Sequence, residues 1–492
     1  MVIKLLGKWL PVVLLLLFVG CNSGYRKADS MVSTTPHLFP DYTNVVFPVN
    51  IAPANFAIRE DGDAFQAVFS DGREDVFTCT NDEPEIRIPQ DKWKKLLERV
   101  AGGDFFIRIG VKRDGKWIEF AKIRNSVSKD KIDPYLVYRL LYPGYELWNE
   151  MGIYQRNLTD FEETPIVENK DFGKQCVNCH TFCRNSPETM MLHIRGKDGG
   201  TLIYRNGQIE KVSSKPQGAT MGATYAGWHP SGKYIAFSMN DVQQFFHSGG
   251  QKAVEVSDMA GDMGVYDVEH HTMLTNKYLS GNDHTETFPT WSPDGRYLYY
   301  CRGNAYKKGV PLDSLRYDLY RVSFDAQSGK LGVPECVFAA TKNHKTVSLP
   351  RISPDGRYLM FVLFDYGTFS IWHPESDLWL MDLTNGKVRP MMEVNSRNVE
   401  SFHTWSSSGR WFVFSSKRLD GLWARPFFAH FDPRTGKASK PFVLPQENPY
   451  FYDSFTRTYN LPELITSPVS NGKDFLKAVP GTKQSTFLKE ES

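Results

Sequence analysis

Trp291-Ser292-Pro293-Asp294-Gly295-Arg296-Tyr297-Leu298-Tyr299-Tyr300 is the stretch on which the fold turns, because the chain repeats it. Copies begin at Trp228 (Trp-His-Pro-Ser-Gly-Lys-Tyr-Ile-Ala-Phe), at Ile352 (Ile-Ser-Pro-Asp-Gly-Arg-Tyr-Leu-Met-Phe) and at Trp405 (Trp-Ser-Ser-Ser-Gly-Arg-Trp-Phe-Val-Phe), 53 to 63 residues apart. Each copy has one physical logic. Proline presets φ for a turn, Asp or Ser accepts a local hydrogen bond, and glycine takes the left-handed position. A β-rich run comes next. A second apolar run comes later in each copy, at residues 264–268, 318–324, 377–383 and 426–431. The last three turn at polar or Gly-containing stretches, 325–330, 384–387 and 432–437. Four strands per repeat at this period predict the blades of a β-propeller. A weaker fifth copy spans 191–212 and turns at 196–200 and at Asn206-Gly207. The expectation is five or six blades, with six favoured and the sixth completed by residues outside the clear repeats.

These repeats resemble the WD40-like propeller repeats of the TolB family, whose hallmark is the same Ser-Pro-Asp-Gly turn. The resemblance covers roughly residues 190–445 and implies a scaffold rather than an activity. The whole arrangement also resembles a group of exported bacterial proteins, TolB-like or cytochrome-c-like, in which a lipoprotein signal and a β domain precede one C-x-x-C-H and a propeller comes after it. That likeness is carried by residues 176–182, Phe414-Ser415-Ser416-Lys417-Arg418, Arg425-Pro426-Phe427-Phe428 and Pro441-Phe442-Val443-Leu444-Pro445. It implies architecture and little mechanism.

A chain of 492 residues is too long for one small core. Its net charge of +2 gives no electrostatic case for nucleic acid. Aromatics at 14%, with 38 glycines and 29 prolines, suit many short strands joined by tight turns. The reading is all-β: a signal peptide at 1–20, a tether at 21–43, a β-sandwich-like domain at 44–130, a connector at 131–187, a propeller at 188–460 and a C-terminal tail at 461–492. In the first domain, residues 55–59 and 64–70 predict one hairpin, and 105–112 with 116–123 a second. Trp93, Leu96, Leu97 and Val100 recur at helical spacing, predicting a helix over 91–100. The connector is rich in aromatics, among them Tyr135, Tyr138, Tyr145, Trp148 and Tyr154, and is broken by Pro134, Pro143, Gly144 and Pro165.

The N-terminus reads as a targeting segment. Lys4 and Lys8 precede an apolar run over 10–19 that is too short to span a bilayer comfortably. It ends Phe18-Val19-Gly20-Cys21, which resembles a lipoprotein signal with Cys21 as the lipidated residue; a plain secretory signal cut near Gly20 is the alternative. Asn22 in place of Asp implies, by that resemblance, the outer membrane. Either way the chain is expected outside the cytoplasm, in the cell envelope.

That compartment gives meaning to Cys176-Val177-Asn178-Cys179-His180, which reads C-x-x-C-H, the signature of covalent c-type haem attachment. Two thiols add to the two vinyl groups of the porphyrin, and the adjoining histidine becomes the proximal iron ligand. With 7 Cys and 12 His in the chain, roughly 0.002 copies are expected by accident, so chance does not account for it. The alternatives are a zinc or iron–sulfur site using Cys176, Cys179, Cys183 and a histidine, since C-x2-C-x3-C has ligand spacing, or a structural disulfide. The haem segment is expected at the junction before the first blade, against a propeller face or edge.

For the distal side of the iron, His193 is the first choice, with Met190 and Met191 next and His247 and His403 more distant; each also reads as an ordinary structural residue. Arg184, Arg195 and Lys197 could meet the haem propionates. Cys79, Cys183, Cys301 and Cys336 remain, with Cys301 and Cys336 the most natural disulfide pair. There is no Walker loop, H-E-x-x-H or G-x-S-x-G. The expected function is a membrane-anchored monohaem cytochrome on a propeller, passing electrons to a redox partner protein or membrane complex. The alternatives are a non-redox propeller gripping a protein or glycan, and a haem peroxidase with an open iron.

Overall fold

A computed structural model describes residues 25–142, 150–248, 252 and 254–491. The signal segment, Cys21, Asn22, Pro143, Gly144, Tyr145 and Trp148 lie outside the described residues. Six antiparallel sheets succeed one another around a ring. Their innermost strands are Cys176–Cys183, Ala223–Trp228, His284–Trp291, Thr346–Ile352, Glu400–Trp405 and Thr458–Ile465. Each touches the next, and Thr458–Ile465 touches Cys176–Cys183 to close the circle. This is a six-bladed propeller. The blades are numbered in chain order, the first being built on Tyr135–Leu141.

The repeated turns do what their residues dictate. Ser292 Oγ donates to Asp294 Oδ1 at 2.5 Å and accepts from the Tyr297 N–H at 3.0 Å, while Gly295 sits at φ 75°. Where a tryptophan precedes the turn, it ties its blade to the preceding one. Trp228 Nε1 donates to Thr181 O at 3.3 Å, Trp291 Nε1 to Gly227 O at 3.0 Å, and Trp405 Nε1 to Arg351 O at 3.2 Å.

Blade 1 departs from the sequence reading. The residues expected to be a connector form Tyr135–Leu141, Met151–Asn157 and Glu163–Glu168, three strands of a sheet. The fourth and innermost is Thr458–Ile465, which pairs with Tyr135–Leu141 from more than three hundred residues away. The aromatics are there because they pack: Tyr138 is fully buried against Tyr459, with ring centroids 4.7 Å apart. The expected tail is structural too, since Phe487–Glu491 adds a parallel edge strand to Thr272–Asn276 of blade 3.

The N-terminal domain is a seven-stranded and a three-stranded sheet with one helix, Gln90–Arg99. The hairpin at Asp114-Gly115 forms, both residues having positive φ. The other expected hairpin does not. Phe56–Ile58 joins Leu38–Phe39 and Glu85–Ile86, whereas Ala64–Ser70 lies in the larger sheet between Asp75–Asn81 and Asp104–Arg113. The loop between them is drawn onto the larger sheet instead: the Asp63 N–H donates to Lys112 O at 2.8 Å, and a Cβ on Gly62 would lie 2.2 Å from Val111. This domain shares a core with the propeller. Its end is pinned to blade 6 by Trp411 Nε1, which donates to Asp130 O at 2.9 Å, and by Asp133, which accepts from the Ser407 N–H at 2.7 Å.

Candidate functional site: the channel

Cys176 to His180 lie at no junction. They form part of the innermost strand of blade 2, inside the ring rather than on a face or edge. Strict strand alternation would point Cys176 and Cys179 to opposite sides. A bulge decides otherwise. Pairing with the next strand shifts between Val177 and His180, leaving Asn178 and Cys179 over-long against their partners. An extra residue bends the strand and re-aims the side chains beyond it. As a result Cys176, Cys179 and His180 all border one cavity of 380 Å3.

An irregularity of one extra residue recurs in all six inner strands, two residues earlier in blade 3 than in blades 4, 5 and 6. In blades 4, 5, 6 and 1 it holds Phe288, Leu349, Phe402 and Leu461 in the left-handed region, at φ 46–53°. Such conformations are sparsely populated for side-chain-bearing residues and persist where the surroundings impose them. The first paired residues beyond the bulges are His180, Tyr225, Thr290, Arg351, Thr404 and Glu463. All six line the channel. Arg351 and Glu463, with Thr181 and Ala226, border both the 380 Å3 cavity and a second of 490 Å3 on the side of the repeated turns, and so form the waist between them.

His180 is 2% exposed, and neither ring nitrogen has a hydrogen-bond partner. Its ring lies by the Leu461 backbone without an aligned bond. Burial, helped by the Arg139 guanidinium, pushes its pKa down to about 3. The imidazole is therefore neutral, the form that binds metal. An unsatisfied buried polar atom costs about 1–3 kcal/mol, so two on one ring mark a position that gains from a ligand. Cys176 and Cys179 are both buried and free, and burial raises both thiol pKa values. The alternative disulfide between them is not formed.

The walls are apolar and cationic. Phe288, Phe369, Trp372 and Phe402 supply rings, and the long hairpin of blade 3 covers one side with Val242, Gln244 and Val256. Arg139 donates to Asn178 Oδ1 at 2.7 Å and to Asn460 Oδ1 at 3.1 Å. Arg195, Arg351 and Lys417 also border the cavity, and the Lys417 Nζ lies 4.4 Å over the Trp372 ring. Glu463 is the only acid among the lining residues described; it accepts from the Phe182 N–H at 3.3 Å and from Thr181 Oγ1 at 3.5 Å. Burial raises its pKa to about 7, against the pull of Arg351. The donor set fits a covalently held haem: two free thiols, an unpartnered neutral imidazole, cations for propionates, aromatic walls, and a volume within the about 300–1,000 Å3 usual for cofactor sites.

Other expected residues lie elsewhere. His193 sits on the second strand of blade 2, facing away from Leu192 and Ile194, with Nδ1 3.0 Å from Thr201 Oγ1. Met190 and Met191 are buried between blades. None of the three lines the cavity. His403 donates from Nε2 to Met360 O at 3.0 Å, and His247 lies 3.5 Å from Glu255. Arg184 borders the second cavity, and Lys197 is exposed. The zinc or iron–sulfur alternative fails on geometry. Four extended residues separate Cys183 from Cys179 by about 13 Å, and the Cys183 thiol points to His229 O at 3.5 Å. No group of three metal-ligating side chains occurs among the described residues. Cys301 and Cys336 are free. Their strands flank Tyr317–Asp325 on opposite sides, about 9–10 Å apart and beyond disulfide reach.

Sequence reading missed Arg139, Tyr225, Arg351, Lys417 and Glu463. Arg351 had a signal: aligned repeats place Gly227, Thr290 and Thr404 at its position, small residues where blade 5 carries a cation.

No family model matches the chain. An uncharacterized protein of Agrobacterium fabrum (strain C58) is 24% identical over 279 residues, spanning 55% of this chain and 80% of that protein. Among solved structures, a 6-phosphogluconolactonase candidate from Bacteroides uniformis is similar with a TM-score of 0.34 and 11% identity, covering 78% of this chain and 97% of that one. An auxiliary nutrient binding protein from Bacteroides thetaiotaomicron gives a TM-score of 0.33 and 12% identity, covering 77% and 96%. None of these similarities assigns an activity. The six-bladed closure rests on the strand order itself.

Proposed function

We propose that this chain is an exported monohaem c-type cytochrome of TolB-like architecture, with the haem held in the 380 Å3 cavity of its propeller channel. Cys176 and Cys179 form the two thioethers, and His180 is the proximal ligand. The observation that carries this reading is His180, buried with both ring nitrogens unpartnered, in the same cavity as two free thiols of its own motif. The haem supplies one-electron redox chemistry at its iron. Burial keeps His180 neutral for ligation, Arg139 braces the bulge through Asn178, and the aromatic walls exclude water. Two of Arg139, Arg195 and Lys417 offset the propionates. The protein is anchored in the cell envelope through Cys21 and exchanges electrons with a redox partner protein or membrane complex.

Expression with haem-maturation machinery tests this. The expected product keeps its haem after denaturation and shows thioether-type bands on reduction. Cys176→Ala with Cys179→Ala should abolish both. A wild-type protein that carries no covalent haem, or a double variant with an unchanged spectrum, refutes the reading.

A further inference from the structure

Arg351 stands at the waist of the channel, half-buried and bordering both cavities. Its guanidinium makes one hydrogen bond, from Nη1 to Pro350 O at 3.0 Å, and forms no ion pair among the described residues. The acid on the waist is Glu463, whose charge acts on Arg351 without an ion pair between them; it accepts from the Phe182 N–H and Thr181 Oγ1 through one oxygen, and burial holds its pKa at about 7. Burial works against the guanidinium charge. A guanidinium taken partly out of water and not directly paired with a carboxylate costs stability unless something else meets it. The second cavity leads from solvent to this group. Arg184, exposed and without an ion pair among the described residues, stands at its rim. Neutral hydrogen-bonding side chains, Thr290, Ser292, Thr404 and Ser407, line the walls between them.

We propose that the 490 Å3 cavity on the side of the repeated turns is a binding site for a small oxyanion, a carboxylate or its like, entering past Arg184 and held two-pronged by Arg351. The chemistry is that of a planar guanidinium, whose paired N–H groups match two oxygens of one anion. Thr290 and Thr404 offer hydroxyls on either side. The site does not depend on haem, because Arg184, Thr290, Arg351 and Thr404 lie outside the C-x-x-C-H segment; Glu463, on the inner strand of blade 1, also borders the cavity. It goes past the cytochrome reading by giving the opposite mouth of the channel a ligand of its own.

Acetate is the probe and acetamide its neutral counterpart, titrated at constant ionic strength balanced with sodium chloride. The midpoint of thermal unfolding should rise saturably with acetate and not with acetamide. Arg351→Gln should raise the half-saturating concentration about tenfold or more, and Arg351→Lys should restore part of the affinity. Should Arg351→Gln fail to fold, Arg184→Gln at the exposed rim should weaken binding about threefold. The same titration on the Cys176→Ala, Cys179→Ala protein should match wild type, which separates this site from the haem. No saturable response to acetate overturns the proposal. So does an unchanged half-saturation in Arg351→Gln or, where that variant does not fold, in Arg184→Gln.

Discussion

Replacing Glu463 by glutamine should make the protein more stable at alkaline pH and leave it unchanged in acid. Glu463 is buried on the closing strand of the propeller, and its carboxyl is held at about 7 against an ordinary value of 4.5. Burial is the leading cause; Arg351 and the bonds from Phe182 and Thr181 only moderate it. Below pH 4.5 folded and unfolded chains both bind the proton, and nothing is lost. Between 4.5 and 7 the unfolded chain ionises first, so stability falls as pH rises. Above 7 the loss is complete, at about 3 kcal/mol. Glutamine has no proton to lose, and its carbonyl oxygen can still accept from the Phe182 N–H and Thr181 Oγ1. The interaction with Arg351 is already contained in the raised value. Urea denaturation monitored by tryptophan fluorescence, at steps from pH 4 to pH 8.5, gives the difference between variant and wild type; other titrating groups cancel in it. The expected difference is near zero at pH 4 and grows to about 3 kcal/mol in favour of the variant by pH 8. A pH-independent difference, or a variant less stable at pH 8, would refute the placement of a desolvated carboxyl at the waist.

The geometry sets four further outcomes. His193→Gln should leave the visible spectrum of the haem-loaded protein unchanged, because His193 bonds Thr201 outside the cavity, whereas His180→Gln should alter it. Trp291→Phe removes the N–H that ties blade 4 to Gly227 O and should cost about 1–3 kcal/mol in denaturant unfolding. Removing residues 484–492 uncovers the edge strand Thr272–Asn276; the product should fold but self-associate on size-exclusion chromatography. Removing 458–492 takes away an inner strand, and no cooperative unfolding transition should remain.

The repeat at Trp291 made four blades legible, because one turn needs the same few residues wherever it occurs. Blade 1 was hidden for the opposite reason. Its strands come from two ends of the chain, so no local repeat exists to be read, and aromatic runs with Pro143 and Pro165 between them looked like a connector. The C-x-x-C-H motif was legible as a set of side chains but not as place. C-x-x-C-H gives two thiols and an imidazole, while the bulge that turns Cys179 inward depends on pairing with the neighbouring strand. His193 failed as a ligand on the same ground. Thirteen residues of separation allow a return over the haem, but antiparallel register sets which face the ring occupies. Arg351 and Glu463 belong to strands far apart in sequence, and only ring closure makes them neighbours around one channel.

That closure sets an order of events. Thr458–Ile465 supplies Asn460, Leu461 and Glu463 to the cavity wall, yet it comes after every other inner strand in chain order. Long-range pairings of this kind form late because the intervening chain must first be gathered in. Until then one side of the channel stands open beside the cysteines of blade 2. If the proposed haem is joined to Cys176 and Cys179, it would enter laterally, before the final strand docks, and afterwards could not leave by that route. Maturation and folding become steps of one sequence, and the timing of ring closure sets the interval in which the thiols can be reached.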